Sequence, residues 1–571
     1  MAGFVQMQNR WLKNYPQGVP HTIDASQHSS IIDAIEKTFQ KHSVLPAFSN
    51  QGSTLSYDQV NQLSLHFAAY LQKKLGLKKG DRISIVLPNL LQYPVVLFGA
   101  LRAGLVVVNT NPQYTSREME HQFKDAGVKA VVILANFVQK IESILPNYPI
   151  EHIIITEVGD LFSLPKKLVT NIMLRPFKKI VSLRSIPGAI SLREALIRGK
   201  KIDFEPVPIA PEDLAFLQYT GETTGISKGV MLSHRNIIAN MMQTEAWISP
   251  CLEKKNDILI TALPLCHVFS LTVNCLVFMQ FGGLNVLITN PRDISGFIRE
   301  LKRHKFTVMT GVNTLFSSLL NSPEFSKIDF SNLKLSVAGA MTLQKSVAEK
   351  WSQLTGSLII EGYGLTEASP VVSVNPPNSA AKVGSIGLPL PSTEVRLLND
   401  SGKDVVVGQP GEICVRGPQV MKGYWNQPEE THRVLKEGWL HTGDIAVEDS
   451  DGFLTIVDRK KELILISGFK VYPSEVESVV ATHPAVLEVA ALGVPDSKSG
   501  EVVKIFVVRK KGHSVQAQEL IDFCRRTLTA YKVPKFVEFR QELPKSNVGK
   551  ILRRALKAPP PPAVEGPVPE L

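Results

Sequence analysis

Short apolar runs alternate along this chain with amphipathic segments, and the alternation sets the first structural expectation. RISIVLP (82–88) is continuous enough in apolar residues to be a buried strand. YPVVLFGALRAG follows as a helix ending at Gly104, and VVVNTNP reads as the next strand. AVVIL (130–134) and HIIIT (152–156) continue the series. Strands that alternate with helices in this way predict an α/β protein with largely parallel sheets. There is no internal repeat. The longest stretch free of Asp, Glu, Lys and Arg, Ile258–Pro291, is long enough to suggest a membrane span. Pro264, His267, Asn274, Gln280 and the Gly282–Gly283 pair interrupt it, so a buried strand–helix–strand is expected instead.

The pattern changes near Asp458–Lys461. DGFLTIVD reads as a strand leaving a turn. It is followed by LILIS, a helix EVESVVATHP, strands VLEVAALGVPD and VVKIFVVRKKG, and a helix ELIDFCRRTL. These elements fit a small α+β domain of about a hundred residues. The proline-rich end, APPPPAVEGPVPEL, is expected to be a disordered tail.

Composition narrows the class. A chain of 571 residues is too long for one ordinary core. Hydrophobic residues make up 44% and charged residues 20%, the balance of a folded soluble protein. Lys and Arg number 63 against 52 Asp and Glu, and the net charge of +11 favours acidic partners: nucleotides, CoA or anionic lipid. The five cysteines are scattered and form no CxxC pair, which argues for reduced intracellular thiols and against a disulfide frame or zinc site. The N-terminal MAGFVQMQNRWLKNYPQG has no apolar core, so no secretory peptide is expected. Between Asp160 and Glu194 seven basic residues and no acidic ones are interleaved with Leu and Phe. That mixture suits either an anionic bilayer surface or a solvated helix packed on the main domain.

Four clusters carry candidate chemistry. The first, YTGETTGISKG (219–229), follows the strand candidate LAFLQYT. Its glycines let backbone N–H groups approach an anion, its hydroxyls donate hydrogen bonds, and Lys228 adds charge. The Walker spacing is absent, and a polar surface turn is the plain alternative. GISKG also matches the hydrolase pattern around Ser227. A nucleophile there would need a sharp strand-to-helix turn, whereas a polar loop separates Ser227 from the preceding strand. The second cluster, EGYGLTEAS (361–369), places Tyr363 between glycines, where a ring can stack on a base. Thr366 and Glu367 follow, with a carboxylate suited to Mg²⁺. The third joins GWLHTGD (438–444) to VDRKKELILISGFKVYP (457–473). Asp444 suits a ribose diol, and Arg459 and Lys470 suit phosphate or ribose. The fourth, LPKSNVGKILRR (543–554), carries Lys550 after a glycine.

In this order the clusters resemble the core motifs of the adenylate-forming superfamily, which includes acyl-CoA synthetases, luciferases and peptide-synthetase adenylation domains. LRAGLVVVNTNPQYT, PLCHVF and GEICVRGPQVMKGYW fill the gaps, so the resemblance runs from about Leu55 to Arg554. It is nearest to bacterial long-chain fatty-acyl-CoA synthetases, through DGFLTIVDRKKELILISGFKVYPSEVE. The implied fold is α/β. A large N-terminal acyl- and ATP-binding domain (1–458) would hold two α/β subdomains and a β-barrel-like subdomain. A hinge at 459–461 would join it to a small mobile α+β C-terminal AMP-binding domain (462–556), leaving 557–571 as the tail. The implied reaction activates a fatty acid with ATP through an acyl-adenylate, releasing pyrophosphate and then AMP as CoA takes the acyl group.

The resemblance also implies residue roles. Thr220 and Glu367 would bind Mg²⁺ with the triphosphate. Thr223, Thr224 and Lys228 would hold the β- and γ-phosphates, in a loop whose turn uses Gly221 and Gly225. Gly339, Glu361, Gly362, Tyr363 and Gly364 would frame the adenine and α-phosphate, next to Thr366. Asp444 would grip the ribose beside Arg459 and Lys470. Lys550 would serve adenylation, Lys461 the hinge, and Ser467, Gly468 and Phe469 the entry of CoA, while His267 would line the acyl tunnel. The expected partners are fatty acid, ATP, CoA and an anionic membrane surface on the cytoplasmic side, with no nucleic acid and with a homodimer as an open alternative. Aryl- or medium-chain acid ligation and a non-catalytic nucleotide- or lipid-binding homologue are the competing readings.

The sequence departs from the family at Glu222, where the pattern has glycine. A carboxylate about 4 Å from a phosphate opposes binding by roughly 4 kcal/mol at an effective dielectric of 20. Loss of a turn glycine adds about 1 kcal/mol. Glu222 therefore faces solvent, slows adenylation, or impairs the enzyme.

Overall fold

The computed structural model describes residues 10–162, 186–220, 227–253, 255–378, 380–545 and 551–557. Among these residues the strands assemble into four sheets. The first is seven-stranded, and its central strands Arg82–Val86, Val106–Asn109, Val128–Leu134, His152–Thr156 and Leu214–Tyr219 are all parallel. They are the apolar runs that the sequence marks, and nearly every position in them is buried. VVVNTNP forms strand only to Asn109; Thr110 N–H still reaches the Ile85 carbonyl at 3.1 Å, and Pro112, which has no N–H, stands beyond. The helix Gln92–Arg102 stops before Gly104, whose φ of +71° suits glycine.

The second sheet is nine-stranded. Its parallel core includes Ile258–Thr261, Leu284–Leu287, Val308–Gly311, Leu335–Ala338 and Ile359–Gly364. The charge-free stretch lies inside it as expected. Between its two strands stands a π-helical segment, Ser270–Val277, continued by Phe278–Gln280. Asn274 donates to Thr310 Oγ1 at 2.7 Å, and Asn285 accepts from Thr261 Oγ1 at 2.8 Å, so one amide atom of each is engaged inside the protein. Among the described residues no helix is long and apolar enough to cross a membrane. No disulfide joins the five cysteines.

An antiparallel five-stranded sheet follows, from Glu394–Leu398 to Leu454–Arg459. The stretch Trp11–Tyr15 is fastened near it. Trp11 packs so closely on Gly452 that a Cβ there would meet Trp11 backbone at 2.8 Å. Asn14 Nδ2 donates to the Asp451 carbonyl at 2.7 Å, and the Tyr15 hydroxyl to the Pro389 carbonyl at 2.6 Å. The fourth sheet is built wholly from residues beyond Leu463, with helices Pro473–Ala481 and Ala517–Arg525 beside it. The chain is thus a large multi-sheet α/β domain followed by a small α+β domain.

Candidate functional site

Thr220, Gly339 and the run from Gly362 to Glu367 stand at or just past the carboxyl ends of parallel strands, where open α/β sheets place their ligands. Strand Leu214–Tyr219 turns back as the antiparallel strand Gly229–Ser233, with Tyr219 opposite Gly229. Two bonds close the base of this hairpin: Thr220 N–H donates to the Lys228 carbonyl at 3.1 Å, and Ser227 Oγ donates to the Thr220 carbonyl at 2.6 Å. Ser227 therefore sits in a strand-to-strand connection with its hydroxyl engaged, which removes the hydrolase reading. Gly221, Glu222, Thr223, Thr224 and Gly225 lie outside the described residues, as does Lys550. Thr220 Oγ1 is buried and has no hydrogen-bond partner among the described residues, which leaves it able to accept from or donate to a ligand or ion.

Lys228 Nζ donates to Glu430 Oε2 at 2.6 Å and lies 5.2 Å from the Tyr424 ring centroid. The Tyr424 hydroxyl donates to Glu367 Oε1 at 2.8 Å. The run containing Tyr424 lies along the hairpin through Met231 N–H to Gly423 and Trp425 N–H to Gly229. Met421 N–H meets the Glu367 carbonyl at 2.8 Å, which ties the Thr366–Ala368 turn to the same run. Lys228 and Glu367, far apart in sequence, are thus joined through Tyr424. Tyr424 and Glu430 were not singled out from the sequence; the signal available was GYW followed closely by PEET.

Strand Ile359–Gly364 supplies the second wall. Glu361 turns its carboxylate to the N–H groups of Leu343 (3.2 Å) and Gly384 (2.8 Å), and burial pushes its pKa up. It braces the backbone here. Gly339 faces Phe269, whose ring would stand 2.9 Å from an added Cβ. Gly364 leaves no room at all: a Cβ would come within 2.2 Å of the Pro370 carbonyl oxygen. The Tyr363 hydroxyl donates to Asp444 Oδ2 at 2.7 Å, and burial raises this phenol well above the usual tyrosine range. Arg459 Nε lies 3.1 Å from Asp444 Oδ1, from the strand position directly opposite. Asp444 N–H donates to Thr442 Oγ1 at 3.1 Å. Tyr363, Asp444 and Arg459 therefore form one polar cluster.

The remaining predicted residues have partners of their own, apart from this cluster. His267 stands between Pro264, whose carbonyl accepts its N–H at 2.9 Å, and Phe269, whose N–H meets its Nδ1 at 3.3 Å. Burial lowers its pKa to about 4, so the ring is neutral. Ser467 and Gly468, with φ of +49° and +84°, make a two-residue hairpin turn before Phe469. Phe469 is 58% exposed and stacks on Tyr531 at 5.1 Å. Lys470 pairs with Asp400 at 2.6 Å, so here it meets the large domain away from Asp444. Lys461 lies in the turn Lys460–Glu462. Among the described residues no three His, Cys, Asp or Glu gather as a metal site.

Comparison with known proteins completes the description. Residues 35–425 match the family model described as AMP-binding enzyme, and residues 475–550 match the AMP-binding enzyme C-terminal domain. The chain is 54% identical to a long-chain-fatty-acid–CoA ligase of Escherichia coli O6:H1, over 96% of this chain and 98% of that protein. It is 39% identical to a long-chain-fatty-acid–CoA ligase of Bacillus subtilis, over 97% and 98%. The solved structure of an anthranilate–CoA ligase in complex with anthranoyl-AMP superposes with a TM-score of 0.82 at 25% identity, covering 94% of this chain and 98% of that one.

Proposed function

The chain belongs to the AMP-binding enzyme family, and from that premise we propose that it is a long-chain-fatty-acid–CoA ligase. It activates long-chain fatty acids with ATP through an acyl-adenylate and transfers the acyl group to CoA, releasing pyrophosphate and AMP. The observation that carries the substrate class is the nearly full-length likeness to fatty-acid ligases, at far higher identity than to the aryl-acid ligase that shares the fold. That contrast sets aside the aryl reading, and the named activity of the relatives sets aside a non-catalytic homologue.

The site residues support the following sequence. A fatty-acid carboxylate oxygen attacks the α-phosphorus, the bond between the α- and β-phosphates breaks, and pyrophosphate leaves. The CoA sulfur then attacks the acyl carbon, and AMP departs. Asp444, fixed by Tyr363 and Arg459, would accept from the ribose hydroxyls, and Lys228 would meet phosphate oxygens. Charge that develops on those oxygens is stabilised by donors set beforehand. Thr220 and Glu367 would hold Mg²⁺ together with the nucleotide's own phosphates, an ordinary arrangement for an ion bound by few protein ligands. The unpartnered Thr220 hydroxyl fits that role, and the ion would neutralise phosphate charge.

The proposal extends to Lys550 as the adenylation lysine, to rotation of the small domain about Lys461, and to cytoplasmic placement with peripheral contact of the basic, apolar stretch 161–193 on an anionic membrane. Most of that stretch, like Lys550, lies outside the described residues. The deciding experiment measures CoA thioester and pyrophosphate over a panel of carboxylic acids. Long-chain saturated and unsaturated acids should support both products. Turnover confined to aryl or short acids would overturn the substrate class. Vesicle sedimentation of the protein with Lys166, Lys167, Lys178 and Lys179 replaced by Gln tests the membrane part, with about 1 kcal/mol lost per charge.

A further inference from the structure

Glu430 touches the lysine on which the phosphate site depends. The side chain of Lys228 is 14% exposed and that of Glu430 31%, so their pair is sheltered on the lysine side and open on the other. The same carboxylate oxygen, Oε2, also accepts from Arg433 Nη2 at 2.6 Å. Both acid and arginine stand on the short helix Pro428–Val434, one turn apart. That turn is bolted to the hairpin side: Thr431 Oγ1 accepts the Tyr424 N–H at 2.9 Å. A continuous line of contacts therefore runs from Glu367 through Tyr424, Lys228 and Glu430 to Arg433.

We propose that Glu430 is a positioning residue that competes with the β- and γ-phosphates for Lys228, yielding it when ATP binds and reclaiming it when pyrophosphate leaves. The proposal rests on the reading of Lys228 as a phosphate-binding lysine. ATP and pyrophosphate present much the same terminal oxygens, so a lysine that answered to phosphate alone would hold the product as firmly as the substrate. A carboxylate in direct contact gives Lys228 a second partner of like charge and hydrogen-bonding capacity. Arg433 completes the exchange. When Lys228 moves to phosphate, the Glu430 carboxylate keeps a cationic partner and is not left uncompensated in a half-buried position. The Lys228 hydrogen bond holds the Glu430 carboxyl below the usual glutamate range, so this partner stays ionised throughout the neutral range.

The two members of the helix should act in opposite directions. In Glu430→Gln the competitor is gone. Pyrophosphate with Mg²⁺, titrated calorimetrically into the full-length protein, should bind about three- to tenfold more tightly. KM for ATP should fall, and kcat should fall with it as product release slows. In Arg433→Gln the carboxylate answers to Lys228 alone, so pyrophosphate should bind more weakly and KM for ATP should rise. If Glu430 only props the helix, both variants weaken pyrophosphate binding together, which overturns the proposal. Lys228→Gln separates the two levels. If it leaves pyrophosphate binding unchanged, the phosphate reading of Lys228 fails and takes this inference with it. If it weakens binding while Glu430→Gln changes nothing, the inference alone fails.

Discussion

Asp444 has both carboxylate oxygens engaged, one by the Tyr363 phenol and one by the Arg459 guanidinium. A carboxylate offers about four lone-pair sites, so acceptor capacity is left for a diol. Asp444→Asn keeps the shape and removes the charge; KM for ATP in pyrophosphate release should rise about ten- to a hundredfold, the worth of hydrogen bonds to a charged group. Tyr363→Phe should cost about five- to tenfold. The sequence made Asp444 and Arg459 legible because their motif survives whole. The phenol's bond to Asp444 was not legible, since it joins residues 81 positions apart through the meeting of two sheets. A second residue-scale consequence concerns acid. His234 is buried, its Nδ1 accepts the Ile31 N–H at 3.2 Å, and burial lowers its pKa from 6.5 to about 4. Between those values the unfolded chain binds a proton that the folded chain refuses, so stability present above pH 6.5 is lost as pH falls towards 4. The full displacement is worth on the order of 3 kcal/mol. His234→Asn keeps an acceptor but cannot titrate. Its denaturant midpoint should therefore fall less steeply than the parent's between about pH 7 and pH 5.

At the scale of elements, the strands of the first sheet were the easiest to read, because burial on both faces leaves continuous apolar runs. The capping boxes that Ser56 closes with Gln59 and Thr115 with Glu118 were not singled out from the sequence. Two things were not plain. GISKG matched a nucleophile turn by letters alone, and only the return strand Gly229–Ser233 shows that the chain doubles back. The fastening of the hairpin between Leu214–Tyr219 and Gly229–Ser233 by the Tyr424 run is a pairing of distant segments, which no local pattern encodes. Strand Ile359–Gly364 makes a direct prediction. Gly364→Ala drives a Cβ into the Pro370 carbonyl, and a backbone neighbour cannot swing aside. The cost should be about 1–3 kcal/mol of stability. Because the Thr366–Ala368 turn follows at once, the Mg²⁺ dependence of activity should also weaken. A variant with normal melting and normal Mg²⁺ response would show that this close approach is dispensable.

Across the whole molecule, the small domain meets the large one through a firm contact and through loose ones: Ser474 N–H donates to the buried Asp458 carboxylate at 2.9 Å, whereas ion pairs at the rim are easily given up. Lys470 and Lys460 both reach Asp400, and Lys460 also reaches Glu412. The Lys470 and Asp400 side chains are 47% and 63% exposed, and exposed pairs are worth about 0–1 kcal/mol each. The rim pairs can bias an orientation without fixing it, whereas the Ser474–Asp458 bond would have to part in the proposed rotation. Lys461→Pro fixes φ at the proposed pivot. Adenylation should persist in single-turnover assays while thioester formation falls. Lys550→Ala should do the opposite, losing adenylation but keeping transfer from supplied acyl-adenylate. Equal loss in both halves for either variant would sink the alternation. The division into a large and a small domain was legible because the helix–strand pattern restarts after Lys461; the ion pairs between the domains were not, because surface charges carry no periodicity. The seat of Trp11 beside Gly452 has a consequence for how the protein is made. Asn14 and the carbonyl it grips are 437 positions apart. At about 5–20 residues per second, a ribosome needs roughly 20–90 s to travel between them. Throughout that interval Asn14 and Tyr15 wait for the carbonyls of Asp451 and Pro389 that they grip in the finished fold. The large domain cannot finish folding from its front end as it emerges; it closes when the tail of its own sequence arrives.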